Sequence, residues 1–255
     1  MVASVLAALA AAGVVALAAV MYRRRGLGAD DPEPSGATSG HTGAMLSALF
    51  LLCLAIAIVV PWTAADVARQ NTYAESEAVV EAHWAAGRLP APVGAQVRSG
   101  LEEYARFVID QEWPLLASGR LSDEGWARLD QVRTQVASVR SEDTDVQEAK
   151  AVVLEQLRNL SEARRLRGAD ARTRPPAALL VMTVLTGVLV AAFPFMAGAR
   201  PTGAAIVPLV VMAGLLGVGI YFVFDIVNVF DGGLGVRPDA FASALEELRR
   251  IPGGG

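Results

Sequence analysis

Two histidines, one cysteine, and an assortment of carboxylates and guanidiniums are the residues here that could hold a metal, attack a substrate or bind an anion. His41 and His83 lie far apart, without a Cys or carboxylate at ligand spacing, so no metal site is expected. Cys53 is the only cysteine and sits inside an apolar run, which leaves no intramolecular disulfide and no thiolate cluster. Glu102 and Glu103 are adjacent. On a helix they point about 100° apart and form a solvated face rather than a glycosidase-type pair. With no nucleophile–base pair and no phosphate-cradling glycine loop, the sequence offers no catalytic residue and no cofactor-binding residue, and an enzyme is not expected.

Three further groups carry charge or polarity in informative places. Arg164, Arg165 and Arg167 form a basic cluster just before an apolar segment, where such clusters bind anionic lipid headgroups. Equally, Arg165 with Glu162 and Arg158 with Glu155 have the three-residue spacing of ordinary helix-surface partners. Glu112, Trp113 and Pro114 could form a binding feature, but a structural role is the better reading: Pro114 kinks a helix, Trp113 wedges the kink, and Glu112 caps, pairs or stays solvated. Asp225 and Asn228 close an apolar run at a depth where polar groups often face a cavity or a partner, although simple exit from a bilayer accounts for them as well.

The elements that must position these residues follow from hydropathy. At 255 residues and 53% hydrophobic composition the chain is too apolar for an ordinary soluble domain, and its 22 basic against 26 acidic residues leave no basic footprint for nucleic acid. Residues 2–21, 44–62, 176–198 and 203–224 are each apolar and about as long as a bilayer crossing requires. The first is expected to stay as an anchor, because Arg23, Arg24 and Arg25 follow it, whereas a secretory signal has its charge in front. Residues 23–43, dense in Gly, Pro, Ser, Thr and Asp, read as a flexible loop. Trp62 ends the second segment as an interface anchor, and only four residues separate the last two segments, which therefore form a tight helical hairpin. Ala213 and Gly217 have the small-residue spacing that lets membrane helices approach closely.

Between the two pairs, residues 63–175 interleave charged and apolar residues at helical spacing. Breaks at 87–92 and 118–122 divide this insert into helical pieces over 64–86, 93–117, 123–139 and 144–167, with Ser122 opening the third. Val146, Lys150, Val153, Leu157, Leu160 and Arg164 share one face of the last, and the apolar part of that face is a packing stripe. The first and last pieces are expected to run on into the adjoining membrane helices. Residues 225–255 read as a polar tail with an amphipathic stretch at 238–250. The fold class is thus an all-α membrane protein, with four transmembrane helices in two pairs and a long extramembrane helical insert.

The strings Gln111-Glu112-Trp113-Pro114-Leu115-Leu116 and Leu157-Arg158-Asn159-Leu160-Ser161-Glu162-Ala163-Arg164-Arg165-Leu166-Arg167 resemble the bestrophin-like family of bacterial membrane proteins, the DUF4239 domain. That family similarly places a helical insert, opening here at Tyr73, Glu75 and Glu77, between two pairs of apolar segments. After the last segment it has a Pro-Phe-x-Gly element, matched by Val229-Phe230-Asp231-Gly232 with valine in place of proline. The resemblance marks Glu112, Trp113, Pro114, Arg164, Arg165, Phe230 and Gly232 as motif residues, and implies kinship with bestrophin anion channels. The acidic calcium clasp of bestrophins is not matched by Gly233, Leu234 and Gly235, so calcium gating is not implied.

On this footing the expected partners are the lipid bilayer of a bacterial cell membrane, further copies of the chain, and small ions or a membrane partner protein; no cofactor is expected. One reading is an oligomeric pore whose second span, with Leu51, Ile56 and Val59, lines an apolar neck. The other is a non-conducting scaffold that works through its helical insert. Arg23 to Arg25 and Arg200, in short loops, argue for a non-cytoplasmic insert, whereas bestrophin-like architecture and the arginines at 164–174 argue for a cytosolic one. Charges in short loops are the better guide to orientation.

Overall fold

The computed structural model describes residues 36–197 and 206–250; the expected first span, Arg23 to Arg25, and the turn carrying Arg200 lie outside the described residues. All regular structure among the described residues is helical. The helices are α1 (Gly36–Ala86), α2 (Val93–Phe107), a π-helical turn (Val108–Glu112), α3 (Trp113–Leu116), α4 (Asp123–Ser138), α5 (Thr144–Asp170), α6 (Ala177–Met196), α7 (Ile206–Asp225) and α8 (Asp239–Arg250). Three of them, α1, α6 and α7, are long and apolar enough to cross a membrane. The chain divides into two compact units: Met1–Trp62 with Arg174–Val227, and Thr63–Thr173 with Asn228–Gly255.

Two expectations about α1 and α5 meet different outcomes. Helix α1 is continuous through Pro61, so the first piece of the insert does extend a membrane helix, and it begins at Gly36, inside the expected loop. Pro34 is the last proline before it, and beyond that point each added helical residue gains a hydrogen bond without a new nucleation cost. Helix α5, by contrast, stops at Asp170 and α6 starts afresh at Ala177, because Pro175 and Pro176 cannot donate and bias the residues before them away from helix.

In the membrane unit, small residues set the approach of helices. A methyl group on Gly187 of α6 would lie 3.0 Å from Ile220 of α7 and 3.1 Å from the Phe50 ring of α1. Ala213 is buried beside Phe195, so this position of α7 packs on α6, whereas a methyl on Gly214 would meet nothing within 4 Å and one on Gly219 would meet Leu54 of α1. The hydroxyls of Thr183 and Thr186 donate back to the Leu179 and Met182 carbonyls (2.9 and 2.7 Å), which satisfies them without a partner helix. Phe50 and Ala57 mark the packed face of α1, and Leu51, Ile56 and Val59 lie on its other side, 62%, 43% and 56% exposed.

In the helical unit, α2 packs on α4 and on α8, and α4 on α5. Ser122 accepts from the Glu124 amide (3.2 Å) and Asp143 from the Asp145 amide (2.9 Å), capping the first turns of α4 and α5. Lys150 Nζ donates to the Ala137 and Val139 carbonyls (3.1 and 2.8 Å), which α4 leaves unpaired at its C-terminus. The tail is not a separate polar appendage. Its amphipathic stretch becomes α8 and buries Phe241, Ala244 and Leu248 in the core of this unit.

Candidate functional site: a buried arginine–glutamate cluster

The apolar stripe of α5 runs through Val153, Leu157 and Leu160 and then, at unbroken helical spacing, places Arg164 and Arg167 in the core. Both guanidiniums are 0% exposed, as are Glu75 from α1 and Glu112 from the end of the π turn. Arg167 Nε and Nη2 clamp the two Glu75 oxygens at 2.6 and 3.0 Å, and Nη2 also reaches Glu112 Oε1 at 2.7 Å. Arg164 forks onto Glu112 at 2.6 and 2.5 Å and donates to the Ser122 carbonyl at 2.8 Å. The Tyr104 hydroxyl of α2 donates to Glu75 (2.5 Å) and accepts from Arg164 (3.3 Å). Two positive and two negative charges cancel, so the cluster is neutral as a whole. Fork-to-carboxylate geometry is what lets such charges remain in a core.

Aromatic rings complete the enclosure. Arg164 stands 4.9 Å over the Trp126 ring, and Arg167 is 5.8 Å from both Trp113 and Phe241. Among the described residues Arg164 Nε and Arg167 Nη1 make no hydrogen bond, and ring faces are the electron-rich surface these guanidiniums meet. Gly125 makes room for the first of them: a methyl there would lie 2.1 Å from Arg164 Nη2.

The π turn explains how Glu112 and Trp113 both face the core. The buried line of α2 passes through Val97, Leu101, Tyr104 and Val108. A plain α-helix continued from Val108 would turn position 113 about 140° away from that line. One extra residue in the turn, closed by the Trp113 amide on the Val108 carbonyl, brings Glu112 and Trp113 inward together and carries Leu116 with them. Pro114, exposed, follows directly. Its ring would clash with the carbonyl four residues back in a regular helix, so the widened turn is where the expected kink is absorbed.

Burial alone would raise the Glu112 carboxyl, but the Arg164 hydrogen bond and the Arg167 and Arg164 charges outweigh it and hold it below its usual range of about 4.5. Burial and the neighbouring Glu75 charge push the Tyr104 phenol well above 10. For Arg164 and Arg167, burial favours the neutral form, yet the surrounding acceptors raise both above the ordinary arginine value. The signs set a pH window. A depressed carboxylate gives stability that is present above its unfolded value and lost as pH falls through its folded one. A raised phenol gives stability that is present below its unfolded value and lost at higher pH. Burial also lowers the His83 imidazole below 6.5, so thermal midpoints of the solubilised chain are expected to be flat from about pH 7 to 9, to decline as pH falls below about 6.5 and further below about 4.5, and to fall above about 10. A midpoint that rises on acidification through pH 4 would contradict this.

The structure redistributes the residues singled out by sequence. Arg164 and Arg167 are neither lipid contacts nor surface partners, because both are sealed in the core with carboxylates already bound. Arg165 is exposed and lies 5.6 Å from the centre of the Trp126 ring, while Arg158 does meet Glu155 at 3.6 Å. Glu112 pairs, and Trp113 packs edge-on against Phe230 (5.5 Å) and Phe241 (6.4 Å). Gly232 sits at φ +85°, a left-handed conformation that favours glycine. Val229, standing where proline is usual, is buried, and its carbonyl accepts from the Val236 amide (2.7 Å), closing the loop that holds Phe230 in place. Asp225 is half-buried at the end of α7, with the Tyr221 hydroxyl at 3.4 Å, and the Asn228 carbonyl accepts from the Asp231 amide. Nothing in the sequence singles out Tyr104, and the family resemblance marks Glu75 only as an acidic residue at the opening of the insert.

With both carboxylates saturated by guanidiniums, the cluster acts as a clamp joining α1, the α2–α3 segment and α5. The profile of the Bestrophin-like domain matches residues 8–241, a span that includes every member of the clamp and Phe230. No curated protein and no solved structure matches the chain. The family and the apolar helices fit a membrane protein, and with most of its length matched the chain belongs to the bestrophin-like family.

Proposed function

We propose that this chain is a multi-pass protein of a bacterial cell membrane, with four spans in two pairs, that assembles into a homo-oligomer and passes small ions. The observation that carries this reading is the free face of α1. Leu51, Ile56 and Val59 remain 62%, 43% and 56% exposed in a single chain whose other side of α1 is packed. In a ring of copies such a face lines an apolar neck, and constrictions of that kind gate by wetting and dewetting. Residues 2–21 supply the fourth span, and Arg23 to Arg25 with Arg200 favour a helical unit on the non-cytoplasmic side.

A second reading is favoured by the helical unit itself. Its own core and its closed charge clamp make it a self-sufficient body, as expected of a scaffold that binds a membrane partner and uses the helices as an anchor. Oligomeric state separates the two. Native mass measurement in mild detergent is expected to give a closed ring of one size. A monomer would favour the anchored scaffold.

A further inference from the structure

We propose that the outward face of α1 in the helical unit docks a basic amphipathic helix of a protein partner. Tyr73 and Trp84 are 53% and 52% exposed on this face. Eleven residues apart on one helix, they fall within about 20° of a single line and about 16 Å apart along the axis. Glu77 and Glu81 stand between them, both exposed, and neither makes an ion pair or side-chain hydrogen bond with the described residues. The opposite side of α1 carries Glu75, Val79 and Ala82, all buried, so the orientation of this line is fixed by packing. Along the helix the face therefore reads aromatic, acid, acid, aromatic.

Charge chooses the occupant. An apolar surface laid here would desolvate two unpaired carboxylates without compensation. A second copy meeting this face across a two-fold axis along the membrane normal would set Glu77 and Glu81 against their own kind, and such a pairing does not build the closed ring proposed above. A helix with lysine or arginine four residues apart matches the four-residue spacing of Glu77 and Glu81, and apolar residues one turn to either side would cover Tyr73 and Trp84. Aromatic rings flanking a desolvated charge pair are the usual anchors of such an interface.

The probe is a synthetic amphipathic peptide with lysines four residues apart on one side and leucines in the flanking turns, titrated against the full-length chain in uncharged detergent. The same peptide with glutamate in place of lysine serves as its control. The lysine peptide is expected to bind and the glutamate peptide not to. The pair Glu77→Gln, Glu81→Gln and the single Trp84→Ala should each weaken binding by about tenfold or more, whereas Glu148→Gln with Glu155→Gln on α5 should leave it within about twofold. Absence of binding, or an equal loss from the α5 pair, would overturn the proposal, the latter by showing diffuse attraction to an acidic surface. So would efficient disulfide joining of Trp84→Cys copies in a Cys53→Ser background in native membranes, which would show a second copy on this face. None of these readouts depends on whether the oligomer conducts, so the two proposals fail separately.

Discussion

Replacing Arg167 with methionine is expected to lower the unfolding free energy of the solubilised chain by about 3–5 kcal/mol, the usual cost of breaking a buried ion pair from one side. The change leaves Glu75, fully buried, with only the Tyr104 hydroxyl as partner, and removes one of two guanidiniums from Glu112. A fall in thermal midpoint on the order of 10 °C follows for a chain of this size. The neighbouring change Arg165→Met, at an exposed residue over Trp126, should cost under about 1 kcal/mol. Replacing the charged members of the clamp together with apolar residues of similar volume should cost much less than Arg167→Met alone, because no charge is then stranded. If the two arginine variants lost equal stability, the sequestered clamp would not be what holds these helices.

Deleting Asp110, an exposed residue of the π turn, is expected to destabilise the chain by a similar amount, about 3–5 kcal/mol, although the residue itself touches nothing in the core. Without the extra residue the segment closes into an α-helix in which Trp113 and Leu116 still face inward. Glu112 is turned about 60° off the line from Val108, which breaks the fork it makes with Arg164, and Arg164 has no other carboxylate within the clamp. The proline ring at 114 also loses the widened turn that accommodates it. Substituting Asp110→Ala, which keeps the register, should stay within about 0.5 kcal/mol of the parent. Equal effects of deletion and substitution would show that the bulge does not aim Glu112.

Much of this architecture is visible in the sequence because its punctuation is local. Gly87 to Pro92, Ser118 to Ser122, and Pro175 with Pro176 break the chain where helices end, and Ser122 and Asp143 cap the helices that follow. The stripe through Val153, Leu157 and Leu160 points to the core, and Arg164 lies on it in plain view. A guanidinium defaults to the surface, however, and what reverses that default is a carboxylate far away in the chain. Glu75 and Arg167 are 92 positions apart, and no periodicity in a single sequence links them. The π turn is hidden for the same reason. Pro114 announces an irregularity, but its form is decided by what Glu112 and Trp113 must meet, namely Arg164 on one side and Phe230 and Phe241 on the other. The folding of the tail onto α2 depends likewise on Trp113 receiving Phe241, a contact that hydropathy alone does not foretell.

Conduction is the claim on which the functional account stands, and purified oligomer in planar bilayers tests it most directly. Discrete current steps are expected, and Ile56→Ala, which trims an exposed residue of the free face of α1, should ease conduction by lowering the dewetting barrier of the neck. Silent bilayers holding verified, correctly folded oligomer, with a stoichiometric membrane partner co-purifying, would contradict it and identify the chain as an anchored scaffold.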